Sequence, residues 1–503
     1  MSLVARPRSA AAVALWTLVG GLLSLYCVAF AWDAVGRVAR PLEELIYGES
    51  WVLDGARRVA HGEVLYPPAD RLPLAQTAYT PVYYVLVGEL QRLFGDAGYT
   101  TGRAVSVVAS FAGAALLAWS LRRLTSHWPT ALLGAGLLLT QNVTVLLWAP
   151  LHRVDALALA LTLAGLALAT AGRPYAAVLP FLVAVFTKQT FLVAPLATCL
   201  ALWPERGRML RFASAFVGGL ALCVLVAQWL TDGWFVWHTV FANSNVPDFE
   251  TFAALMGSFL QFNGVAVLAA AAALSLPERP RERVWRLYFL GSLVTLPSLA
   301  KIGASSNYWL ELSAATAVVL SLGARRLALA RAPQLHVVAP VVVAGALLVA
   351  VPAYQAVAFE AATTTRNLLQ TQSPAYLSLV GDTGPQPYRV ETSFLPRIAR
   401  ERGDVLTDNP GLAVAAGKRI VYEFQIFQLL EAQGMWSEEP IVEAIAARQF
   451  DLVVLMHPLD GPVTGTRWTP AIREALRAAY VPDGQQAGFW VYRPGPAQAR
   501  AGP

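Results

Sequence analysis

Long apolar stretches separated by short polar segments dominate the first 356 residues of the chain. Most of these stretches run for about 15 to 22 residues, which is close to the length that spans a bilayer as a helix. The pattern therefore predicts an all-α polytopic membrane bundle with about 11 to 13 transmembrane helices. We place the spans at 11–33, 103–121, 131–148, 155–171, 175–187, 189–204, 212–230, 256–275, 286–300, 307–323 and 336–356.

Composition supports this class and excludes several others. Apolar residues make up 56% of the 503 residues and charged residues only 14%, which is far from the composition of soluble domains. The net charge of +6 comes from short arginine clusters between apolar stretches, so membrane topology explains it and nucleic-acid binding is not expected. Because Cys27, Cys199 and Cys223 all lie inside apolar stretches, we expect neither a disulfide framework nor a zinc site.

The N-terminus has the pattern of a signal sequence, with Arg6 and Arg8 ahead of an apolar run at 11–31. Cleavage after Ala29-Phe30-Ala31 is one interpretation. The long apolar run and the spans that follow favour an uncleaved first helix with a cytoplasmic N-terminus.

An odd number of spans then leads to an external C-terminus, and the arginine clusters test this assignment. The clusters that fall on the predicted cytoplasmic side are Arg122-Arg123, Arg173, Arg206/Arg208/Arg211, Arg279/Arg281/Arg283/Arg286 and Arg325/Arg326/Arg331. The odd number of spans and the positions of the arginine clusters agree. We therefore predict a multi-pass protein of the bacterial inner membrane.

Two regions lie outside this scheme. Residues 78–94 are apolar but short and carry Pro81, Glu89 and Arg92, so we interpret them as a juxtamembrane or re-entrant helix on the external face, with a tilted span as the alternative.

The tail at 357–503 is polar. Its segments GDVLTD, KRIVYEF, DLVVLM and FWVYRP resemble strands, and EEPIVEAIAARQ and TPAIREALRAAY resemble amphipathic helices. We predict a membrane domain at 1–356 with an external first loop at 34–79, and a small external α/β domain at 357–503.

Ionisable residues also recur at the predicted external ends of the spans, where each is costly unless it is solvated, paired or functional. The first loop carries Asp33, Glu43, Glu44, Glu49, Asp54, Arg57, Arg58 and Asp70, and later caps carry His152, Arg153, Asp155, Lys188, Gln189, His238, Asp248, Glu250, Lys301, Asn307 and Glu311. Of the three lysines in the chain, Lys188 and Lys301 lie in these caps. Two roles remain open for them: binding an external anion such as a lipid phosphate, or structural pairing, for example of Lys188 with Asp155.

A carboxylate near the outer surface can act as the general base that activates an incoming hydroxyl or amine. Glu49 lies in a stretch with helical spacing of Ile46, Trp51, Leu53 and Val59, so it can project from an interfacial helix. Asp54 is the rival candidate. A solvated face or a helix cap is the structural alternative for either residue.

The order of these motifs resembles the GT-C class of integral membrane glycosyltransferases, which includes the protein O-mannosyltransferases and the lipid A aminoarabinose transferase. The counterparts here are Gly48-Glu49, Ala56-Arg57-Arg58, Gly62-Glu63-Val64-Leu65-Tyr66, Tyr79-Thr80-Pro81-Val82-Tyr83-Tyr84 and Leu93-Phe94-Gly95, followed by Asp155, Lys188 and the segment from Asn307 to Glu311. The resemblance covers about residues 1–325. One departure is that Gly48 occupies the first position of the acidic pair.

The resemblance implies transfer of a sugar from a polyprenyl-phosphate donor to a glycan, lipid or protein acceptor at the external face. It implies Glu49 as the base, and we expect Asp155 to orient the acceptor or to help hold a divalent cation. The implied catalytic residues are Glu49, Asp155 and Asp54, and the implied substrate-binding residues are Arg153, His152, Lys188, Gln189, Lys301, Asn307, Glu311 and Tyr79. This divalent cation is the candidate cofactor. The rival class is a transporter or flippase, for which Gln141 and Asn142 inside a span are the best evidence.

Overall fold

The computed structural model describes residues 10–42, 44–46, 48–140, 148–243, 246–301, 303–332, 334–349, 394–460 and 468–496. The chain divides into two compact units. The first comprises Met1–Ala39, Gly102–Cys223 and Val246–Thr383, and the second comprises Arg40–Thr101, Val224–Asn245 and Gly384–Pro503. The predicted domain boundary at 356/357 and the residues Gln141 and Asn142 lie outside the described residues.

Each of the eleven predicted spans contains a helix within the described residues. The helices are Ala10–Val38, Thr100–Thr125, Trp128–Thr140, Asp155–Thr170, Pro174–Val185, Val193–Ala201, Arg206–Leu230, Phe249–Ala273, Arg283–Val294, Leu310–Leu327 and Leu335–Val349. Short 3-10 turns at Pro280–Glu282, Leu296–Ala300 and Ser306–Trp309 connect the later ones.

Four of these helices, Ala10–Val38, Thr100–Thr125, Arg206–Leu230 and Phe249–Ala273, are long and apolar enough to cross a membrane. Four more, Trp128–Thr140, Asp155–Thr170, Pro174–Val185 and Leu335–Val349, are apolar but shorter. The chain is therefore an integral membrane protein, as its composition predicts. The count of 11 to 13 spans and the orientation of the N-terminus stay predictions.

Arginines from the predicted cytoplasmic clusters pack against aromatic rings. The guanidinium of Arg122 lies 5.5 Å from the ring centroid of Trp128, and that of Arg211 lies 5.6 Å from the centroid of Tyr175. Such pairs are typical of residues at a membrane–water boundary, where the ring is partly apolar and the cation stays hydrated.

The second unit combines helices with a small sheet. Its helices are Glu49–Ala60, Val82–Phe94, Trp234–Thr239, Leu395–Arg400, Pro410–Ala415, Phe424–Ala432, Glu439–Ala446 and Pro470–Ala479, and its strands are β1 (Asp404–Thr407), β2 (Phe450–Leu455), β3 (Tyr480–Gln486) and β4 (Phe489–Pro494). The strand order is β1-β2-β4-β3, with β1 parallel to β2 and the other pairs antiparallel. Leu452, Val453 and Val454 are fully buried, which explains the continuous apolar run of β2.

The segment KRIVYEF, predicted as a strand of the tail, does not join the sheet. Instead, Tyr422 forms an isolated parallel bridge with Leu74 of the first loop. The amide of Leu74 donates to the carbonyl of Val421, and the amide of Glu423 donates to the carbonyl of Leu74, each at 2.9 Å. The alternating pattern correctly predicted a bridging backbone at Tyr422, but the bridging partner comes from a part of the chain about 350 residues away. The first loop and the tail therefore share one core.

The predicted helix at 78–94 begins at Val82, after Pro81, and ends at Phe94, where Gly95 caps it with a φ of +67° that favours glycine. It packs closely on the helix Glu49–Ala60, because a side chain at Gly88 would collide with the carbonyl of Ala56. Its position at the external face stays a prediction.

Candidate active site

Asp155 is the centre of a buried polar cluster in the first unit. It begins the helix Asp155–Thr170, where the positive end of the helix dipole favours a carboxylate, and it is fully buried. Its Oδ1 accepts hydrogen bonds from Nζ of Lys188 at 2.5 Å and from Nδ2 of Asn307 at 2.9 Å. Nε of Arg153 lies 3.8 Å from its Oδ2. The sequence predicted all four residues, and the structure brings them together.

Turns between helices bring these partners to Asp155. Lys188 follows the helix Pro174–Val185 and precedes Val193–Ala201, while Asn307 lies in the 3-10 turn Ser306–Trp309. Caps that are far apart in the sequence therefore meet around one carboxylate.

Aromatic rings lie beside the two cations, Lys188 and Arg153. Nζ of Lys188 lies 5.0 Å from the ring centroid of Tyr308, and the guanidinium of Arg153 lies 5.3 Å from that of Trp148. Nε1 of Trp148 donates a 2.8 Å hydrogen bond to Oγ of Ser306, which fixes the ring. The rings reduce access of water, so the electrostatic interactions of these cations are stronger than at an open surface.

The remaining predicted residues of the first unit lie in the same region. Lys301 is half-buried in the connection after Leu296–Ala300, where burial and then the positive charge of Lys188 lower its pKa. Glu311 also interacts electrostatically with Lys188, and its Oε1 is buried. Gln189 is half-buried beside Lys188, and His152 is fully buried against Gly102.

Glu49, Asp54 and Tyr79 belong to the second unit. Glu49 is fully buried at the start of the helix Glu49–Ala60, and its Oε2 accepts a 2.9 Å hydrogen bond from the amide of Leu45. Asp54 has both carboxylate oxygens engaged, with Arg58 Nε at 3.1 Å and the amide of Ile420 at 3.0 Å. These bonds give Asp54 a structural role between the first loop and the tail.

Glu44 is a buried carboxylate that the motif reasoning did not select. Its Oε1 accepts hydrogen bonds from the amides of Gly48 and Ser50 at 2.9 and 3.0 Å and from Oγ of Ser50 at 2.9 Å. Burial raises the pKa of Glu44 to about 7, the negative charge of Glu49 adds to this shift, and the bonds from Ser50 and Gly48 oppose it. The only sequence signal was its place five residues before Glu49.

A divalent cation at Asp155 was left open by the sequence. In the part of the chain that the structure describes, no group of three His, Cys, Asp or Glu side chains is arranged to hold a metal ion. Lys188 and Arg153 already place two positive charges beside Asp155. The divalent cation that the sequence left open stays a prediction.

Comparison with known proteins gives a clear result for the fold. No profile of a known protein family and no curated protein matches the sequence. The chain does match two solved structures of ArnT from Cupriavidus metallidurans, one bound to undecaprenyl phosphate and one in the apo state. Each match has a TM-score of 0.60 at 14% identity and covers 94% of this chain and 98% of the ArnT chain. The chain has a GT-C fold.

This result confirms, at the level of the fold, the resemblance to the GT-C class that the ordered motifs indicated. Two of those motifs have a clear structural basis. Gly62 has a φ of +73°, which glycine adopts readily as the chain leaves the helix Glu49–Ala60. Buried Tyr66 then donates a 3.0 Å hydrogen bond from its hydroxyl to the carbonyl of Tyr79. The departure at Gly48 also has a reason, because its φ of +99° disfavours an aspartate there.

Proposed function

We propose that this chain is a glycosyltransferase that moves a sugar from a polyprenyl-phosphate-linked donor to an acceptor at the external face of a bacterial inner membrane. The observation that carries the proposal is the buried cluster of Lys188, Arg153 and Asn307 around Asp155, in a chain with the fold of ArnT, one structure of which is bound to undecaprenyl phosphate. The N-terminus is then cytoplasmic and the tail external.

The charge of the cluster supports binding of a phosphate. Two cations lie within ion-pair distance of the single carboxylate of Asp155, so these three groups together carry a net positive charge. Lys301 adds a third cation, since its pKa responds to the charge of Lys188. Ammonium and guanidinium groups both bind phosphate oxygens through charge-assisted hydrogen bonds, so the side chains of Lys188 and Arg153 have the chemistry that a phosphate requires.

The proposed reaction is an inverting displacement at the anomeric carbon of the sugar. The acceptor oxygen or nitrogen forms the new bond to this carbon as the bond from the carbon to the phosphate oxygen breaks. Glu49 receives the proton of the acceptor. Arg153, Lys188 and Lys301 stabilise the departing polyprenyl phosphate, which is often the larger contribution to such catalysis. Asp155 orients Lys188 and the acceptor, and the further proposed substrate-binding residues are His152, Gln189, Asn307, Glu311 and Tyr79.

The experiment that tests the proposal follows the chemical fate of the donor. The purified protein is reconstituted in liposomes with a panel of polyprenyl-phosphate sugars, each labelled in the sugar. A transferase converts the donor into free polyprenyl phosphate and a labelled product when acceptor lipids or glycans are supplied. A transporter or flippase moves the intact donor between leaflets without cleaving it, and that outcome would replace the proposal.

A further inference from the structure

Glu44 is a buried carboxylate in the first loop for which the proposed reaction has no role. Its side chain is 2% exposed. Its Oε1 accepts three hydrogen bonds, from the amides of Gly48 and Ser50 and from the hydroxyl of Ser50. A carboxyl group with this many donors is fixed in both position and orientation.

Glu44 and Glu49 are linked in both directions. Glu44 binds the backbone amides of the residues directly before and after Glu49, while Glu49 binds the amide of Leu45, directly after Glu44. The two carboxylates therefore join the backbone at 44–45 to the backbone at 48–50. Gly48 permits this arrangement because its backbone adopts a φ of +99°.

We propose that Glu44 is a positioning residue for Glu49: it fixes the start of the helix that carries Glu49 and places a second carboxyl group beside it. The inference rests on the proposed function, in which Glu49 is the base. A base whose backbone is fixed on both sides keeps its reach to the acceptor, and an error of about 1 Å in such a position can cost on the order of a hundredfold in rate.

The tail closes over the other side of Glu44. Oε2 of Glu44 is buried and has no hydrogen-bond partner among the described residues. It lies against Gly411 in the helix Pro410–Ala415, where a side chain on Gly411 would collide with it. The tail thereby excludes water from this carboxyl group, which gives the external domain a role next to the loop of Glu49.

The pair also makes the charge beside Glu49 depend on pH. Burial raises the pKa of Glu44 to about 7, and the negative charge of Glu49 contributes to this increase. On the other side of Glu44, the tail presents the uncharged backbone of Gly411. Below this pH Glu44 is neutral. Above it, Glu44 places a second negative charge beside Glu49, so the electrostatic environment of the proposed base changes with pH.

Two substitutions in the full-length protein separate the two parts of this role. Glu44→Asp keeps the charge but shortens the reach to Gly48 and Ser50, so we expect kcat to fall on the order of tenfold to a hundredfold with an unchanged KM for the donor. Glu44→Gln keeps an acceptor oxygen but removes the titration, so the step in the pH profile of kcat near pH 7 should disappear. Glu63→Gln, at an exposed carboxylate of the same loop, is the matched control.

A second measurement is independent of turnover. Infrared spectra of the wild-type protein should show a carboxyl group that loses its proton near pH 7, and this signal should be absent in Glu44→Gln. In Glu49→Gln the same carboxyl group should lose its proton at a lower pH, because the variant lacks the negative charge that raises the pKa of Glu44. The inference would be overturned if both Glu44 variants had the kcat and pH profile of the wild type. It would also be overturned if the infrared signal of Glu44 were unchanged in Glu49→Gln. Absence of donor cleavage by the wild type would instead reject the proposed function.

Discussion

Nζ of Lys188 lies 2.5 Å from Oδ1 of Asp155, and both side chains are buried. Structural pairing with Asp155 was one of two roles that the sequence left open for Lys188, and the geometry supports it. The pair is compatible with phosphate binding, because Arg153 places a second cation beside the same carboxylate. The two roles make different predictions for variants.

Lys188→Met leaves the buried carboxylate of Asp155 without its ammonium. We expect a loss of about 3–5 kcal/mol in the free energy of unfolding. The double variant Asp155→Asn, Lys188→Met removes both charges and should recover most of that stability. If Lys188 also binds the carrier, the stable double variant should still bind undecaprenyl phosphate at least about tenfold more weakly than the wild type.

Thermal unfolding and titration of undecaprenyl phosphate into the protein in nanodiscs measure the two quantities. Arg402→Met, at an exposed cation of the tail, is the control for nonspecific attraction of the phosphate. Wild-type affinity in the double variant would show that Lys188 serves only to pair with Asp155.

Glu49→Gln removes the proposed base but keeps a side chain of the same shape that can still accept the hydrogen bond from Leu45. We expect transfer to fall by on the order of 10² to 10⁴ while binding of undecaprenyl phosphate is kept. Glu63→Gln should retain full activity, since Glu63 is exposed. Retained transfer by a folded Glu49→Gln protein would exclude Glu49 as the base.

The sequence predicted the helices and most of the buried cluster around Asp155 for a simple physical reason. Apolar stretches mark their own helices, and polar residues at the same ends of such helices meet when the helices pack side by side. Asp155, Lys188 and Asn307 were found in this way. The resemblance to the GT-C class added the order of the motifs.

What the sequence did not predict depends on contacts between distant or irregular segments. Glu44 accepts hydrogen bonds from the backbone amides of Gly48 and Ser50, and no periodic pattern in the sequence marks such contacts. The partner of Tyr422 lies in the first loop, so an alternating pattern alone assigned it to the wrong pairing. Strand β3 contains the polar run PDGQQ and is mostly exposed, so it lacks the alternation that marks strands.

Asp54→Asn tests the link between the first loop and the tail. The carboxylate of Asp54 binds Arg58 and the amide of Ile420, and loss of the charge weakens both bonds. We expect the protein to lose about 1–3 kcal/mol of stability and the tail to become more sensitive to protease. Asp70→Asn, at an exposed carboxylate of the same loop, should change neither. Unaltered proteolysis of Asp54→Asn would contradict this role.

His238 should make the second unit sensitive to acid. Its Nε2 donates to the carbonyl of Pro67 at 2.7 Å, and its Nδ1 accepts from the amide of Thr77 at 3.1 Å, so the neutral ring satisfies both partners. Burial, and then the charge of Arg58, lower the pKa of His238 to about 4, whereas the bond to Pro67 opposes the shift. The folded state therefore binds this proton more weakly than the unfolded state does.

The stability that His238 contributes is present above pH 6.5 and is lost as the pH falls toward 4. The loss should reach about 3 kcal/mol. His238→Gln can keep a donor and an acceptor without titrating, so the difference in unfolding temperature between wild type and variant should change with pH in this window. A difference that is the same at pH 7.5 and at pH 4.5 would contradict the assignment, and His457→Gln is the exposed control.

The most direct test of the proposed function is the position of the carrier phosphate in a cryo-electron microscopy map of the protein with undecaprenyl phosphate. Binding at the Asp155 cluster predicts phosphate oxygens within about 3 Å of Nζ of Lys188 or the guanidinium of Arg153, with Lys301 nearby. A phosphate bound elsewhere, with the contact between Lys188 and Asp155 unchanged, would contradict the account.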